Sequence, residues 1–227
     1  KIHVAGEHPL KVWDRGVLVE MYRNEELCDV EIRARTCDEV TWAARRAHKF
    51  VLSLVSPVFR RMIQWEQEKH RRQAPHDILV ITLDEVSFHI VESCLEFLYL
   101  GEVELSCRFD DLLELGRLAD SLDISSLRSA VINTASELIN TSSCAYLLQG
   151  AIVCGLFELE ERCMLFALRN FPLIAQSPDF LDLDESVLED LLADDRLTGY
   201  NEEAIYEVVM HWATRGAHRL PSSPRAP

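Results

Sequence analysis

The stretch ILVITLDEVSFHIVESCLEFLYLGEVEL, residues 78–105, decides the fold because it passes from strand to helix and back to an extended run. It opens with the continuous apolar run Ile78, Leu79, Val80 and Ile81, which reads as a buried strand. From Asp84 or Ser87 to Tyr99, the apolar positions Ile90, Val91, Cys94, Leu95 and Leu98 fall three and four apart, the stripe of a helix with one buried face. Gly101 stops that helix, since glycine accepts the left-handed conformation of a helix end, and Glu102 to Leu105 resumes an extended piece.

Upstream, CDVEIRA alternates Val30, Ile32 and Ala34 against polar neighbours, and TWAARRAH continues in extended style after the turn-like RTCDEV, which predicts a hairpin. Before it, WDRGVLVEMYRNEEL places Trp13, Val17, Leu18 and Met21 on one face of a short helix. After it come two helices, HKFVLSLVS and PVFRRMIQWEQEK. The second is opened by Ser56 as a favourable cap and Pro57 in the first turn. KHRRQAPH, polar and carrying Pro75, reads as a loop before the strand at Ile78.

Downstream of Leu105 every periodic segment is helical: Phe109, Leu112, Leu113 and Gly116; Ile124, Leu127, Val131 and Leu138; Tyr146, Leu147 and Ile152; Leu159, Cys163, Phe166 and Ala167. Pro172 and Pro178 break the run, Asp184 is placed to cap DESVLEDLLA, and Asn201 opens a last helix with Ile205, Val208, Val209 and Trp212 inward. The pattern is α+β, helices around a small, mainly three-stranded sheet, followed by an all-helical half. The domains expected are an N-terminal extension at 1–10, a mixed domain at 11–122, a helical domain at 123–214 and a linker or chain end at 215–227.

At 227 residues with 48% hydrophobic content the chain can bury two ordinary cores. Its formal net charge of -15 opposes a phosphate backbone and argues against nucleic-acid binding by the chain as a whole. The charge is uneven: residues 41–76 hold eight basic and two acidic side chains, while 77–213 hold six basic and 27 acidic. Seven cysteines without a CxxC pair fit free thiols in a reducing compartment, so cytoplasm or nucleus is expected. No apolar run approaches the roughly 20 residues of a membrane span.

Patterns for phosphate cradles, zinc and metalloprotease helices are missing, so no catalytic, cofactor-binding or metal residue is expected. His70 and His76, with Arg71 and Arg72 between them, read as a solvated loop. Cys94 and His89 lie five apart on a helix and do not make a nucleophile pair. The acidic groups from Asp179 to Asp195 lack the glycine and oxygen-ligand spacing of an EF-hand and read as helix caps and a solvated face.

Five stretches together resemble the BTB (POZ) and BACK domains: LCDVEI at 27–32, AHKFVLSLVSPVF at 47–59, residues 78–105 quoted above, LLELGRLADSLDISSL at 112–127, and the BACK-like run from Asn170 to Ala213. The resemblance implies a homodimer in which the helix bearing Trp13, Val17, Leu18 and Met21 packs against its counterpart, with Asp29 and Lys49 at a charged pocket on the seam. His48 is read as a hydrogen-bonded packing residue. Proteins of this type commonly serve as substrate adaptors of cullin-3 ubiquitin ligases, with a further domain, often a Kelch propeller, holding the protein substrate. By that resemblance the cullin face includes Phe59, Met62, Ile63, Trp65 and Tyr99 together with the first helices of the second domain, from Ile124 to Ile152. Cullin binders usually carry an apolar residue followed two positions later by glutamate just beyond this helix, whereas IQWEQEK departs from that motif and leaves Glu66 or Glu68 to substitute. The alternative is a BTB dimer that recruits a corepressor or cytoskeletal partner without ubiquitylation.

Overall fold

The computed structural model describes residues 1–7, 15–36, 41–70, 78–106, 108–197 and 200–216, and the chain divides into two units, Lys1–Thr134 and Ala135–Pro227. The first unit opens with strand β1 (Ile2–Ala5) and helix α1 (Arg15–Arg23), followed by strands β2 (Val30–Arg35) and β3 (Trp42–Ala47) and helices α2 (Lys49–Val55) and α3 (Pro57–His70). Strand β4 (Leu79–Ser87), helix α4 (Phe88–Leu100), strand β5 (Glu102–Leu105) and helices α5 (Phe109–Ser121) and α6 (Ser125–Glu137) complete the sequence of elements. Strand β2 is central in a sheet ordered β3-β2-β4, antiparallel to β3 and parallel to β4. The predicted order of helix, hairpin, helix pair, strand and helix is the observed one.

The period of two decides the sheet's faces. Val30, Ile32 and Ala34 are fully buried, while on the alternate positions Glu31 is half-buried and Arg33 and Arg35 are exposed. Helix α4 packs against all three strands, with Ile90, Val91, Leu95, Phe97 and Leu98 at most 1% exposed. At about 1.5–3 kcal/mol for each large apolar side chain removed from water, this helix is a principal source of the unit's burial energy. It stops where the glycine requires: Gly101 has φ 75° and its N–H donates to the Phe97 carbonyl at 2.8 Å.

Two features depart from the periodicity. Strand β4 runs on to Ser87 through the polar residues Thr82, Asp84 and Glu85, with a register shift opposite Ala34 and Arg35. The second is β1, which pairs antiparallel with β5 from Ile2↔Leu105 to Ala5↔Glu102 where only an extension was anticipated. Ile2 and Val4 point inward and His3 and Ala5 outward, an alternation too short to stand out in sequence. The Gly6 N–H donates to the Gly101 carbonyl at 3.3 Å, and a Cβ on Gly6 would lie 2.9 Å from that of Ala130. The Ala130 methyl of α6, with the Phe97 ring 3.3 Å away, therefore leaves room only for glycine there.

Ser56 caps α3 as its sequence position implies. Its Oγ accepts the Phe59 N–H at 2.9 Å and donates to the Leu122 carbonyl at 2.5 Å, all fully buried. The hydroxyl thus holds the start of α3 to the end of α5.

The second unit is helical throughout its described residues: α7 (Cys144–Cys154), α8 (Phe157–Arg169), α9 (Phe171–Ile174), a 3-10 turn at Pro178–Asp182, α10 (Glu185–Ala193) and α11 (Glu202–Gly216). Asn201 opens α11 by accepting the Glu203 N–H at 3.2 Å. Trp212 is half-buried, and its Nε1–H donates to the Leu183 carbonyl at 3.0 Å. Asp184 corrects the sequence reading: it stands at the N-cap position without capping. Its carboxylate accepts from Gln149 Nε2 at 2.6 Å while its N–H donates to Gln149 Oε1 at 3.0 Å. A reciprocal pair with α7 has captured the side chain that α10 would have used.

Candidate functional site

Helix α1 turns Tyr22 inward and leaves Val17 exposed with Leu18 and Met21 half-buried. These three line a cavity of about 400 Å³ together with Leu27, Asp29, His48, Phe50 and Val51. Leu27 is 82% exposed and Phe50 60% exposed, so the rim is apolar as well as the floor. Leu27 also has φ 55°, in the left-handed region that a leucine disfavours. The chain holds an apolar side chain out in water by a backbone conformation that itself costs free energy.

Beneath the groove lies a polar scaffold. His48, 8% exposed, faces the Glu26 carbonyl with Nε2 at 2.8 Å and the Tyr99 hydroxyl with Nδ1 at 2.9 Å. A carbonyl only accepts, so Nε2 carries the proton and Nδ1 accepts from Tyr99. The same hydroxyl accepts the His48 backbone N–H at 3.0 Å. Tyr99 stacks on Tyr22 with ring centres 4.1 Å apart and planes 10° from parallel, and the Arg45 guanidinium lies 4.9 Å above the Tyr22 ring. Asp29 accepts the Lys49 N–H, the first of α2, at 2.7 Å, with Lys49 Nζ 4.0 Å from the other carboxylate oxygen. A carboxylate from β2's approach therefore meets the positive end of α2.

Of the residues expected at a dimer seam, Val17, Leu18, Met21 and Asp29 line this one groove and Lys49 adjoins it, while Trp13 lies outside the described residues. Sequence reasoning missed Leu27 and Phe50. The signal for Leu27 was an apolar residue directly after Glu25 and Glu26 at the end of an amphipathic helix.

The residues expected at a cullin face divide by burial. Met62, Trp65 and Glu66 gather with Arg61, Ile81 and Thr82 around a second groove of about 510 Å³ between α3 and β4. Trp65 is 64% exposed, Glu68 is exposed, and Lys69 both pairs with Glu66 at 2.6 Å and lies 5.7 Å over the Trp65 ring. Phe59, Ile63 and Tyr99 are 1%, 4% and 0% exposed. Their side chains face the core and shape the surface from beneath.

The side chains considered for chemistry are engaged elsewhere. Cys94 is buried, and burial pushes its thiol up to about 12. His89 Nε2 lies 3.2 Å from Asp111, which also accepts a hydrogen bond from Ser106. Partial burial of Asp111 works against its charge, but the bonds from Ser106 and His89 hold its carboxyl below the ordinary value. In the acidic stretch of the second unit, Arg196 grips Asp194 through two nitrogens and holds its carboxyl at about 2. Among the described residues no cluster of ligating side chains could hold a metal and no helix is long and apolar enough to cross a membrane. Arg71, Arg72 and His76 lie outside those residues, as does the His70 side chain.

Comparison with known proteins places the chain in a family. Residues 18–137 match the BTB/POZ domain, and residues 144–223 match BACK, "BTB And C-terminal Kelch". Kelch-like protein 24a of Danio rerio is 31% identical over 178 residues, covering 77% of this chain and 28% of that protein. Kelch-like protein 24 of Homo sapiens is 27% identical over 168 residues, covering 74% and 27%. The BTB domain of human gigaxonin has a TM-score of 0.41 and 17% identity, covering 55% of this chain and 95% of that structure. The chain spans a little over a quarter of the length of these Kelch-like relatives. With the BTB profile covering more than half of its residues and BACK following it, this chain belongs to the BTB family and joins a BTB domain to a BACK domain.

Proposed function

We propose that this chain is the dimerising and ligase-docking part of a substrate adaptor for a cullin-3 ubiquitin ligase. The observation that carries the reading is the apolar groove along α1, with Val17, Leu27 and Phe50 exposed around a cavity of about 400 Å³. Two copies related by a two-fold axis each offer the same face, and such self-complementary interfaces are the commonest in soluble oligomers. Association returns to an apolar environment the side chains that the monomer leaves in water.

The cullin contact uses the α3 surface, with Met62 and Trp65 as apolar anchors and Glu66 or Glu68 supplying the acidic group. Trp is enriched among residues that dominate binding energy when a partner covers them. A protein substrate is held by a further domain, of Kelch type in the relatives named above. The chain acts by holding proteins together in the cytoplasm or nucleus, with no catalytic step of its own.

A second reading, recruitment of a corepressor or cytoskeletal partner by a BTB dimer, is favoured by the altered stretch IQWEQEK and by the burial of Phe59 and Ile63. Calorimetric titration with the N-terminal domain of cullin-3 separates the two. Saturable binding that Trp65→Ala weakens supports the ligase reading, and no heat at tens of micromolar leaves the second. Sedimentation equilibrium tests the dimer separately: a monomer at every concentration removes it from both readings.

A further inference from the structure

The face of the three-stranded sheet turned away from α4 carries a surface that the α1 groove does not use and that meets the proposed cullin contact only at its Trp65 end. By register it displays Trp42, Ala44 and Arg46 on β3, Glu31, Arg33 and Arg35 on β2, and Thr82 on β4. Trp42 is 47% exposed, with the Arg35 guanidinium 5.2 Å from its ring centre. Small side chains at Ala43 and Ala44 open a cavity of about 450 Å³ bounded by Trp42, Glu31, Arg33 and Thr82. Thr82 also lines the groove beside Trp65, Met62 and Arg61. Thr82 thus belongs to both hollows, one beside Trp42 and the other beside Trp65, and a chain laid across the strands between the two tryptophans would pass it.

Charge and length define the occupant. Four arginines, Arg33, Arg35, Arg46 and Arg61, border this path with two glutamates, on a chain whose net charge is -15. Glu31 pairs with Arg33 at 2.6 Å and Arg46 at 4.0 Å, Arg46 also reaches Glu25 at 3.9 Å, and Glu66 pairs with Lys69 at 2.6 Å, so the four arginines and Lys69 still outnumber these three carboxylates. Guanidinium groups favour carboxylates through paired hydrogen bonds, and tryptophan and arginine are the side chains most enriched at binding hot spots. Crossing from β3 to β4 takes two strand spacings, about 10 Å, and α3, about 10 Å across with its side chains, adds a similar distance. That length fits about six extended residues at ~3.3 Å each.

The geometry points to a docking groove for an extended acidic peptide of a partner protein, with apolar anchors at its two ends on Trp42 and Trp65 and carboxylates between them on the arginines. Nucleic acid is disfavoured because a long polyanion would continue onto the acidic remainder of the chain. The proposal stands without the ligase reading: the groove shares its Trp65 end with the proposed cullin face, while Trp42, Arg33 and Arg35, on which its test turns, belong to neither that face nor the α1 groove.

The test is fluorescence anisotropy on the whole chain with a labelled octapeptide bearing leucine at both ends and glutamates between them. Saturable binding is expected, with at least ten-fold weaker binding to a lysine version of the peptide. Trp42→Ala and the double change Arg33→Glu with Arg35→Glu should each weaken binding at least ten-fold, while Trp42→Phe stays within three-fold and a change at the exposed Leu173, Leu173→Ala, leaves it unchanged. A circular-dichroism melt equal to that of the parent chain verifies each variant's fold. Lack of saturable binding, equal binding of the lysine peptide, no effect of either the Trp42→Ala or the arginine changes, or equal competition by a single-stranded oligonucleotide would each overturn the assignment.

Discussion

Two stacked tyrosines, both buried, should respond to loss of their hydroxyl groups to different extents. The Tyr99 oxygen accepts the buried His48 N–H at 3.0 Å and is 2.9 Å from His48 Nδ1. Tyr99→Phe therefore leaves an amide donor and a ring nitrogen without partners inside the core. A buried group left unsatisfied costs about 1–3 kcal/mol and the second bond contributes about 1 kcal/mol, so a loss of about 3 kcal/mol is expected. For a unit of this size that lowers the melting midpoint by about 10 °C. The Tyr22 hydroxyl is also buried and makes no hydrogen bond of ordinary geometry among the described residues, only an electrostatic contact with the Arg45 guanidinium. Tyr22→Phe removes a weakly compensated polar group and keeps the ring on Tyr99, so its stability should change by less than about 1 kcal/mol. Urea unfolding followed by circular dichroism gives both values, and hydrogen exchange at the His48 amide reads the site directly. If Tyr99→Phe melts with the parent chain, or Tyr22→Phe is destabilised as much, the account of this scaffold is wrong.

Ser56→Ala should lose about 1–2 kcal/mol by urea unfolding, since both the α3 cap to Phe59 and the bond to the Leu122 carbonyl disappear. Asp111, whose folded carboxyl titrates below its ordinary value, contributes stability that is full above about pH 4 and is lost as pH falls through the folded value. The stability difference between the parent chain and Asp111→Asn should accordingly shrink from pH 6 to pH 3; a gap independent of pH would contradict it. Thiol labelling of the native chain followed by mass spectrometry should modify Cys28 and Cys154, both half-buried, before the buried Cys94, Cys144 and Cys163.

The element order was legible because its punctuation is local. Ser56 with Pro57 starts α3 and Gly101 stops α4, each through a backbone requirement that one or two residues express. The α1 side of the candidate site was legible for the same reason, since Val17, Leu18 and Met21 share a helix face by spacing alone. What spacing cannot say is which side of an amphipathic helix meets the protein's own core. Phe59, Met62, Ile63 and Glu66 form one stripe in sequence, yet Phe59 and Ile63 are buried while Met62 and Glu66 border a groove. Tyr99 belongs to the helix whose periodicity was clearest, but its value lies in a bond to a residue 51 positions away. Asp184 likewise had the position and chemistry of a cap and was diverted by Gln149, 35 residues distant. Side-chain competition of this kind is settled only when the chain is folded.

Leu27 is held at φ 55° with most of its surface in water. In the dimer proposed above, the folding of one chain and the pairing of two pull in opposite directions at that position. Glycine would relax the backbone and remove the exposed side chain, giving a sturdier monomer, but it would strip the groove's rim of its most exposed leucine. Selection for thermal stability alone would therefore erode this residue, and under the proposed dimer its tolerance to substitution would report on association rather than on folding.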